Sequence, residues 1–309
     1  LNQRSTAHIK RVTEEYQVGI FVSWSKSNMK TNPPSLPCPK KYFENCEVIV
    51  MNDYPKENIT KPVKEIFADA IVINNKKNLG FSGNVNRGIS KSTKNYIFLM
   101  NSDVVLKDYS YLNSLKYFKL DKNLFAVGFA QIEKGEKIVG ANYAFFKNGL
   151  INHSSLPPTA YNLQPNFWAE GGSSIFKKSL LIKLGLLDEL YNPFYWEDID
   201  LSYRAWKAGY KILFDQNIKV EHHHESTIGK YFDKSVITKT AFRNQLIFQW
   251  KNLTDKDLII KHLINIPRFI FFPGFFEAFI RLPKILKSRK KTVKLFKKTD
   301  KEILNKFKS

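Results

Sequence analysis

Ala70-Ile71-Val72-Ile73, Asn78-Leu79-Gly80-Phe81-Ser82-Gly83-Asn84-Val85-Asn86-Arg87-Gly88 and Tyr96-Ile97-Phe98-Leu99-Met100-Asn101-Ser102-Asp103 follow one another in residues 70–103. Two short apolar runs flank a glycine-bearing turn and a helix-like stretch over Val85 to Ser92, a pattern that reads as strand, helix, strand. Gln17 to Trp24 and Glu47 to Met51 are further strand-like runs, and Ser110 to Lys119 is a further helix. Such alternation predicts an α/β fold, a mostly parallel central sheet flanked by helices, with ligands bound beyond the carboxyl ends of the strands. Asn52 and Asp53 follow one strand and Asn101-Ser102-Asp103 another. Gly80 and Gly83 permit close backbone approach, and a helix starting near Asn84 would aim its amides at an anion such as a diphosphate. The alternative is an ordinary strand-to-helix turn. The G-x-G-x-x-G spacing is absent and no P-loop lysine follows. Asp103, directly after a buried strand, can coordinate a hard divalent cation, although an isolated aspartate is more often a turn residue.

With 309 residues, 43% hydrophobic and 14% aromatic, the chain can bury a large core as one domain or a domain with an appendage. The formal charge of +21 points to an anionic partner: nucleic acid, a phosphorylated small molecule or an acidic membrane surface. Nucleic acid is disfavoured, because the aromatics are not organised as stacking motifs and the basic residues cluster at the C-terminal end. Only Cys38 and Cys46 occur, too few for a disulfide framework, so a reducing compartment is expected. Leu1 to Lys10 carries no apolar signal core, so no secretion is expected. The most apolar tract, Phe269 to Phe276, is broken by Pro273 and Gly274 and falls far short of the roughly 20 apolar residues that cross a bilayer. Lys26 to Lys41 is Pro-rich and reads as an irregular loop.

Phe194-Tyr195-Trp196-Glu197-Asp198-Ile199-Asp200-Leu201-Ser202-Tyr203-Arg204 sets three carboxylates among aromatics. Crowded acids near apolar rings are costly unless a metal, an arginine or a reaction uses them. They also suit the first turn of a helix, and Leu201 to Gly209 reads as a short helix closed by glycine.

Asp53, Asn78 to Gly88, Asn101-Ser102-Asp103, Gly171-Gly172-Ser173-Ser174 and Trp196-Glu197-Asp198-Ile199-Asp200-Leu201 together resemble the ordered motifs of family 2 glycosyltransferases, in the rhamnosyltransferase-like group. Arg204 to Tyr210, His222 and Arg243-Asn244 continue the order, and the resemblance covers roughly Val18 to Leu253. It implies a GT-A fold over residues 1–255, with a nucleotide-binding part at about 17–105 and an acceptor part at about 106–255. It also implies inverting transfer of a sugar from a nucleotide-sugar to a glycan or lipid-linked acceptor. Carried over by residue, Asp53 would contact the base or ribose. Asn78, Gly80, Phe81, Gly83 and Asn86 would line the nucleotide pocket with Asn101 and Ser102. Asp103 and His222 would hold Mg²⁺ or Mn²⁺ on the diphosphate. Asp198 would be the catalytic base, and Gly171, Gly172, Trp196 and Glu197 would border the donor and acceptor sugars.

The chemistry agrees. Inverting transfer needs one base opposite the leaving diphosphate, and like charge from Glu197 and Asp200, with water excluded, should raise Asp198 above the ordinary value of about 3.9. Arg204 lies four residues after Asp200 and can pair with it, leaving Asp198 free. In the strand-like stretch ending His222-His223-His224, His222 and His224 share one face and His223 the other, and His223 and His224 read as a solvated edge. Zinc is disfavoured for want of cysteines or a helical His pair. One departure is Asn101, where the family's metal motif often has a second acid. A decayed, non-catalytic glycan-binding scaffold is therefore the competing reading.

Residues 256–309 form a basic helical region. From Arg281 onward twelve Lys and Arg stand against Asp300 and Glu302. Leu282, Ile285, Leu286, Val293, Phe296, Ile303, Leu304 and Phe307 recur at helical spacing, giving a basic amphipathic face. With the aromatic tract before it, this face is expected to anchor the protein peripherally on the anionic inner face of the cell membrane. The alternative is that the stripe packs on the catalytic domain. The oligomeric state is not readable.

Overall fold

The apolar runs become strands β1 Val18–Trp24, β2 Glu47–Asn52, β3 Ile71–Asn74 and β4 Tyr96–Asn101, with helices α1 Thr60–Ile66 and α2 Gly80–Lys91 as crossovers. The computed structural model describes residues 18–24, 40–43, 45–133, 137–156, 163–222 and 232–307. These four strands are all parallel, β1 pairing with β2 and β4, and β2 with β3. Along β1 the side chains alternate, Ile20 and Val22 entering the core on one face and Phe21 the core on the other. Such burial on both faces is what a helix-covered parallel sheet requires. Gly88 lets α2 lie close on the sheet, because a Cβ there would collide with Met51 and meet Phe21 at 3.0 Å.

After β4 the chain turns through Ser102 and Asp103 into β5 Val104–Leu106 and then α3 Leu115–Leu120. Strands β6 Leu124–Ile132, β7 Ile138–Val139, β8 Asn142–Lys147, β9 Leu150–Ser155, β10 Leu163–Pro165 and β11 Ser173–Lys177 follow, then α4 Lys178–Lys183, α5 Glu197–Lys207 and β12 Lys211–His222. The sheet order is β10-β12-β6-β11-β4-β1-β2-β3. Strand β11 is antiparallel to both β4 and β6, β12 runs parallel to β6, and β5 pairs with the end of β12. That last pairing sets His222 opposite Val104 and so beside Asp103. The β8–β9 hairpin stands apart as a second sheet.

Two helix starts differ from expectation. Helix α2 begins at Gly80 rather than near Asn84, because Asp53 Oδ1 accepts from the Leu79 amide (2.8 Å) and Asn78 Oδ1 from that of Gly80 (3.0 Å), satisfying donors a helix start otherwise leaves open. Helix α5 begins at Glu197 rather than Leu201, which puts Glu197, Asp198 and Asp200 in its first turn, where the dipole favours acids.

Helices α6 Lys234–Asn252, α7 Lys256–Phe269, α8 Phe275–Ile280, α9 Leu282–Thr292 and α10 Asp300–Leu304 complete the described chain. Among the described residues no helix is long and apolar enough to cross a membrane. The expected anchoring stripe of the last segment packs inward instead. Ile285, Ile303 and Leu304 are buried in the same core as Leu246, Phe248 and Tyr203, and Leu286 is the one strongly exposed member of the stripe. A buried ion pair fixes the arrangement: Lys207 Nζ lies 2.8 Å from Asp300 Oδ1, both fully buried. Asp300 also accepts from Tyr203 Oη at 2.6 Å and from the amides of Thr254 and Asp255. Asp300→Ala strands the Lys207 ammonium and should lower stability by about 3–5 kcal/mol. Asp257→Ala, which removes an exposed pair with Lys301, should leave stability nearly unchanged. Urea denaturation of the two variants reads the difference.

Candidate active site

Four strand ends converge at the carboxyl edge of the sheet. Asp103, on the β4–β5 turn, holds Oδ1 3.3 Å from His222 Nε2 at the end of β12. This oxygen is buried and makes no other hydrogen bond among the described residues. His222 Nδ1 lies 2.5 Å from Gln131 Oε1 on β6, and Gln131 Nε2 donates to Glu170. Burial alone would lower the His222 value, but the Asp103 carboxylate outweighs it and the imidazole is held above its usual range. The Asp103 carboxylate oxygen and the His222 imidazole are donor types that fit a divalent cation such as Mg²⁺ or Mn²⁺. Among the described residues no third acid, histidine or cysteine joins them.

The second half of the site is the turn into α5. Tyr195 and Trp196 both adopt left-handed backbone, with φ of 71° and 75°, which costs on the order of 1–3 kcal/mol each and persists only where the surroundings enforce it. The buried Asn244 amide enforces it, donating to the carbonyls of Tyr191 (2.6 Å), Phe194 (2.9 Å) and Tyr195 (2.8 Å), while Arg243 Nη2 donates to Asn192 O at 2.6 Å. The Trp196 ring packs on Phe248 and on His153 of β9. Beyond it the three acids take different environments. Asp200 is fully buried and accepts from Arg204 Nε (2.8 Å), Lys251 Nζ (2.8 Å), Tyr191 Oη (2.8 Å) and Asn252 Nδ2 (2.7 Å). Burial would raise its value, but Arg204 and Lys251 reverse the sign and hold it below the ordinary range. Asp198 is half-buried, accepting from the amides of Ile199 (2.8 Å) and Gly171 (3.3 Å), and burial raises its value. Glu197 is buried with Oε2 unpartnered, and burial followed by repulsion from Asp198 pushes it well above the carboxylate range.

The Gly171-Gly172 turn joins the two halves. Asn101 N donates to Gly172 O at 3.1 Å, and a Cβ on Gly172 would collide with the Asn101 amide. A Cβ on Gly171 would stand 2.9 Å from the Phe81 ring and 4.0 Å from Asp198 Cβ. Phe81, Asn101, Gly171, Gly172 and Asp198 are thus neighbours, with Asp103 two residues beyond Asn101.

Several residues expected on the nucleotide side have other roles. The start of α2 is not an open anion site: Asp53, Asn78 and the Pro193 carbonyl occupy the amides of Leu79, Gly80 and Phe81. Asn86 brackets the Leu187 backbone, donating to its carbonyl (2.7 Å) and accepting from its amide (3.0 Å). Gly83 is buried against Leu79 and Glu189 and serves close packing. Asp53 keeps a place beside the site, but its Oδ1 also accepts from Asn75 Nδ2 at 2.9 Å. Asn75 in turn donates to Asn84 and accepts from Arg87. His223, His224 and most of the Pro-rich loop lie outside the described residues.

Glu170, Gln131, Asn75 and Lys251 were not singled out from the sequence. Glu170 directly precedes Gly171, the one signal that pointed to it; burial first, then the Asp198 charge, raises it to about 7. Gln131 sits at the end of an apolar run that the strand reading passed over.

Residues 38–183 match the profile of Glycosyl transferase family 2. The chain carries a family 2 glycosyltransferase domain. Its relatives include the poly-beta-1,6-N-acetyl-D-glucosamine synthase of Staphylococcus aureus, 26% identical over 180 residues, which span 56% of this chain and 42% of that protein. The chain thus aligns with less than half the length of that relative. Among solved structures, GalNAc-T7 with UDP, GalNAc and Mn²⁺ superposes with a TM-score of 0.58 at 14% identity, covering 88% of this chain and 57% of its own. A mannosyltransferase from Pyrobaculum calidifontis with GDP-Man and Mn²⁺ superposes at 0.50 and 10% identity, covering 94% and 80%. The fold of the family 2 domain is GT-A.

An acid whose value is raised on folding holds its proton more tightly in the native state, so its contribution favours folding at low pH and is lost as pH rises. Glu197→Gln removes the buried charge and should melt higher than the wild type near pH 8. The gap should close as pH falls toward the ordinary glutamate value of about 4.3; thermal melts across that range measure it.

Proposed function

We propose that the family 2 domain is an inverting glycosyltransferase that moves a sugar from a nucleotide-sugar to a hydroxyl of a glycan or lipid-linked acceptor, at the cytoplasmic face of the cell membrane. The observation that carries this reading is Asp198 beside the Gly171-Gly172 turn, which also abuts the β4 end bearing Asp103. Phe81, Gly80, Asn78, Asn101 and Ser102 border the donor, with Asp53 toward the nucleoside. Asp103 and His222 would hold the divalent cation, which when bound offsets charge developing on the leaving diphosphate.

The acceptor hydroxyl approaches from the Asp198 side. Its oxygen forms the new bond to the anomeric carbon as the bond to the diphosphate oxygen breaks, and the proton passes to Asp198. The bonding pair leaves with the nucleoside diphosphate, and because the single attack comes from the face opposite that leaving group the configuration inverts. Burial raises the basicity of Asp198, while Asp200 cannot compete for the proton because Arg204 and Lys251 hold it ionised. Trp196 and Glu197 wall the acceptor side, where the exposed Tyr195 ring offers a sugar a stacking face.

Asp198→Asn should lower kcat by about 10²–10⁴-fold and leave nucleotide binding with Mn²⁺ intact, whereas Asp103→Ala should weaken Mn²⁺-dependent nucleotide binding in calorimetry. Full transfer by Asp198→Asn would overturn the base assignment. In the wild type, kcat/KM should fall on the acid side at a pH above the ordinary aspartate value of about 3.9; a pH-rate profile reads this.

A further inference from the structure

Sixteen large apolar side chains are exposed among the described residues, and ten of them lie between Ile260 and Leu286. The other six are spread from Ile71 to Phe232, and scattered apolar residues are normal for a protein surface, whereas a concentration of this kind marks an interaction site. Helix α7 turns Leu258, His262 and Phe269 inward, with His262 Nε2 accepting from Trp250 Nε1 at 2.8 Å. Its opposite face carries Ile260, Leu263 and Ile264, the last 72% exposed. Helix α8 repeats the scheme, burying Phe275 and Ala278 and presenting Phe276, Phe279 and Ile280. The intervening turn is pinned by Phe272 stacking on Phe242 and by Gly274 at φ +92°, and it leaves Phe271 88% exposed. The outward residues are therefore held in place by inward anchors on α6.

Charge identifies what this surface meets. Residues 256–294 contain ten Lys and Arg against Asp257 and Glu277, and both acids are already paired, with Lys301 and with Lys239. An apolar ridge flanked by excess cations matches an anionic lipid surface, where rings enter the acyl boundary and lysines meet headgroup phosphates. A groove of about 350 Å³ lined by Phe145, Leu150, Phe242, Phe269 and Phe272, with Arg268 and Lys147 among its walls, adjoins the same turn. We infer that the outward face of α7, the 270–274 turn and α8 docks on an anionic bilayer, with α9 supplying the adjacent cations. The docking surface is thus distinct from the stripe of α9 and α10 that packs into the core.

Vesicle flotation of the full chain tests this, using phosphatidylcholine with and without phosphatidylglycerol. The wild type should bind the anionic vesicles and be released by salt. Phe271→Ser/Phe276→Ser/Ile280→Ser should bind at least about tenfold more weakly, with unchanged thermal melting because all three are exposed. Lys287→Glu/Lys291→Glu should lose the preference for anionic lipid. No binding by the wild type, or equal binding by the triple variant, overturns the inference. So does a lipid-free wild-type oligomer that the triple variant converts to monomers, since the face would then be a protein contact.

Discussion

Asp200 is the fixed point of the site. Its carboxylate is wholly inside the protein, and it is tolerated there because Arg204 and Lys251 supply opposite charge while Tyr191 and Asn252 fill its remaining lone pairs. Arg204 lies on α5 itself, Lys251 and Asn252 on α6 and Tyr191 in the segment before α5, so one buried anion ties α5 to α6 and to that segment. Arg204 extends the tie to the carbonyls of Leu184 and Leu186, and Lys251 to Asp188. The register of α5, and with it the position of Asp198, follows from this network.

The strain just ahead of α5 has the same logic. Two consecutive left-handed non-glycine residues are unfavourable, and Asn244 compensates by gathering three carbonyls of the 191–195 segment. What the strained turn achieves is to send Asp200 inward and leave Asp198 at the Gly171 amide, so adjacent acids acquire opposite electrostatics: one ionised by cations, one made more basic by burial. Glu197, buried without a partner on one oxygen, is the part of the cluster that stability alone would remove.

The fold was legible because strands β1 to β4 are apolar runs ending in polar residues, with helix-like stretches between several of them. The acids of 197–200 and the Asp103 strand end were legible as motifs, since charge among aromatics is conspicuous in any register. The start of α2 was not: whether helix amides face a ligand depends on whether Asp53 and Asn78 fold back onto them, a long-range and a local contact that spacing does not reveal. The backbone contact of Asn86 is hidden for a similar reason, since it answers Leu187, about a hundred residues away. Gln131 and Glu170 are invisible until β6 and β12 pair. The stripe of α9 and α10 shows the limit of amphipathicity, which identifies an apolar face but not what covers it; the domain core covers this one.

Because Asp200 and Asp198 are assigned opposite roles, their amide variants should behave oppositely in unfolding. The most direct measurement is urea denaturation of Asp200→Asn and Asp198→Asn beside the wild type. Asp200→Asn should lose about 3–5 kcal/mol, since Arg204 and Lys251 would be left buried without their anion, while Asp198→Asn should be as stable as the wild type or more so. An Asp200→Asn protein that unfolds with the wild type, or an Asp198→Asn protein that collapses, would contradict the account.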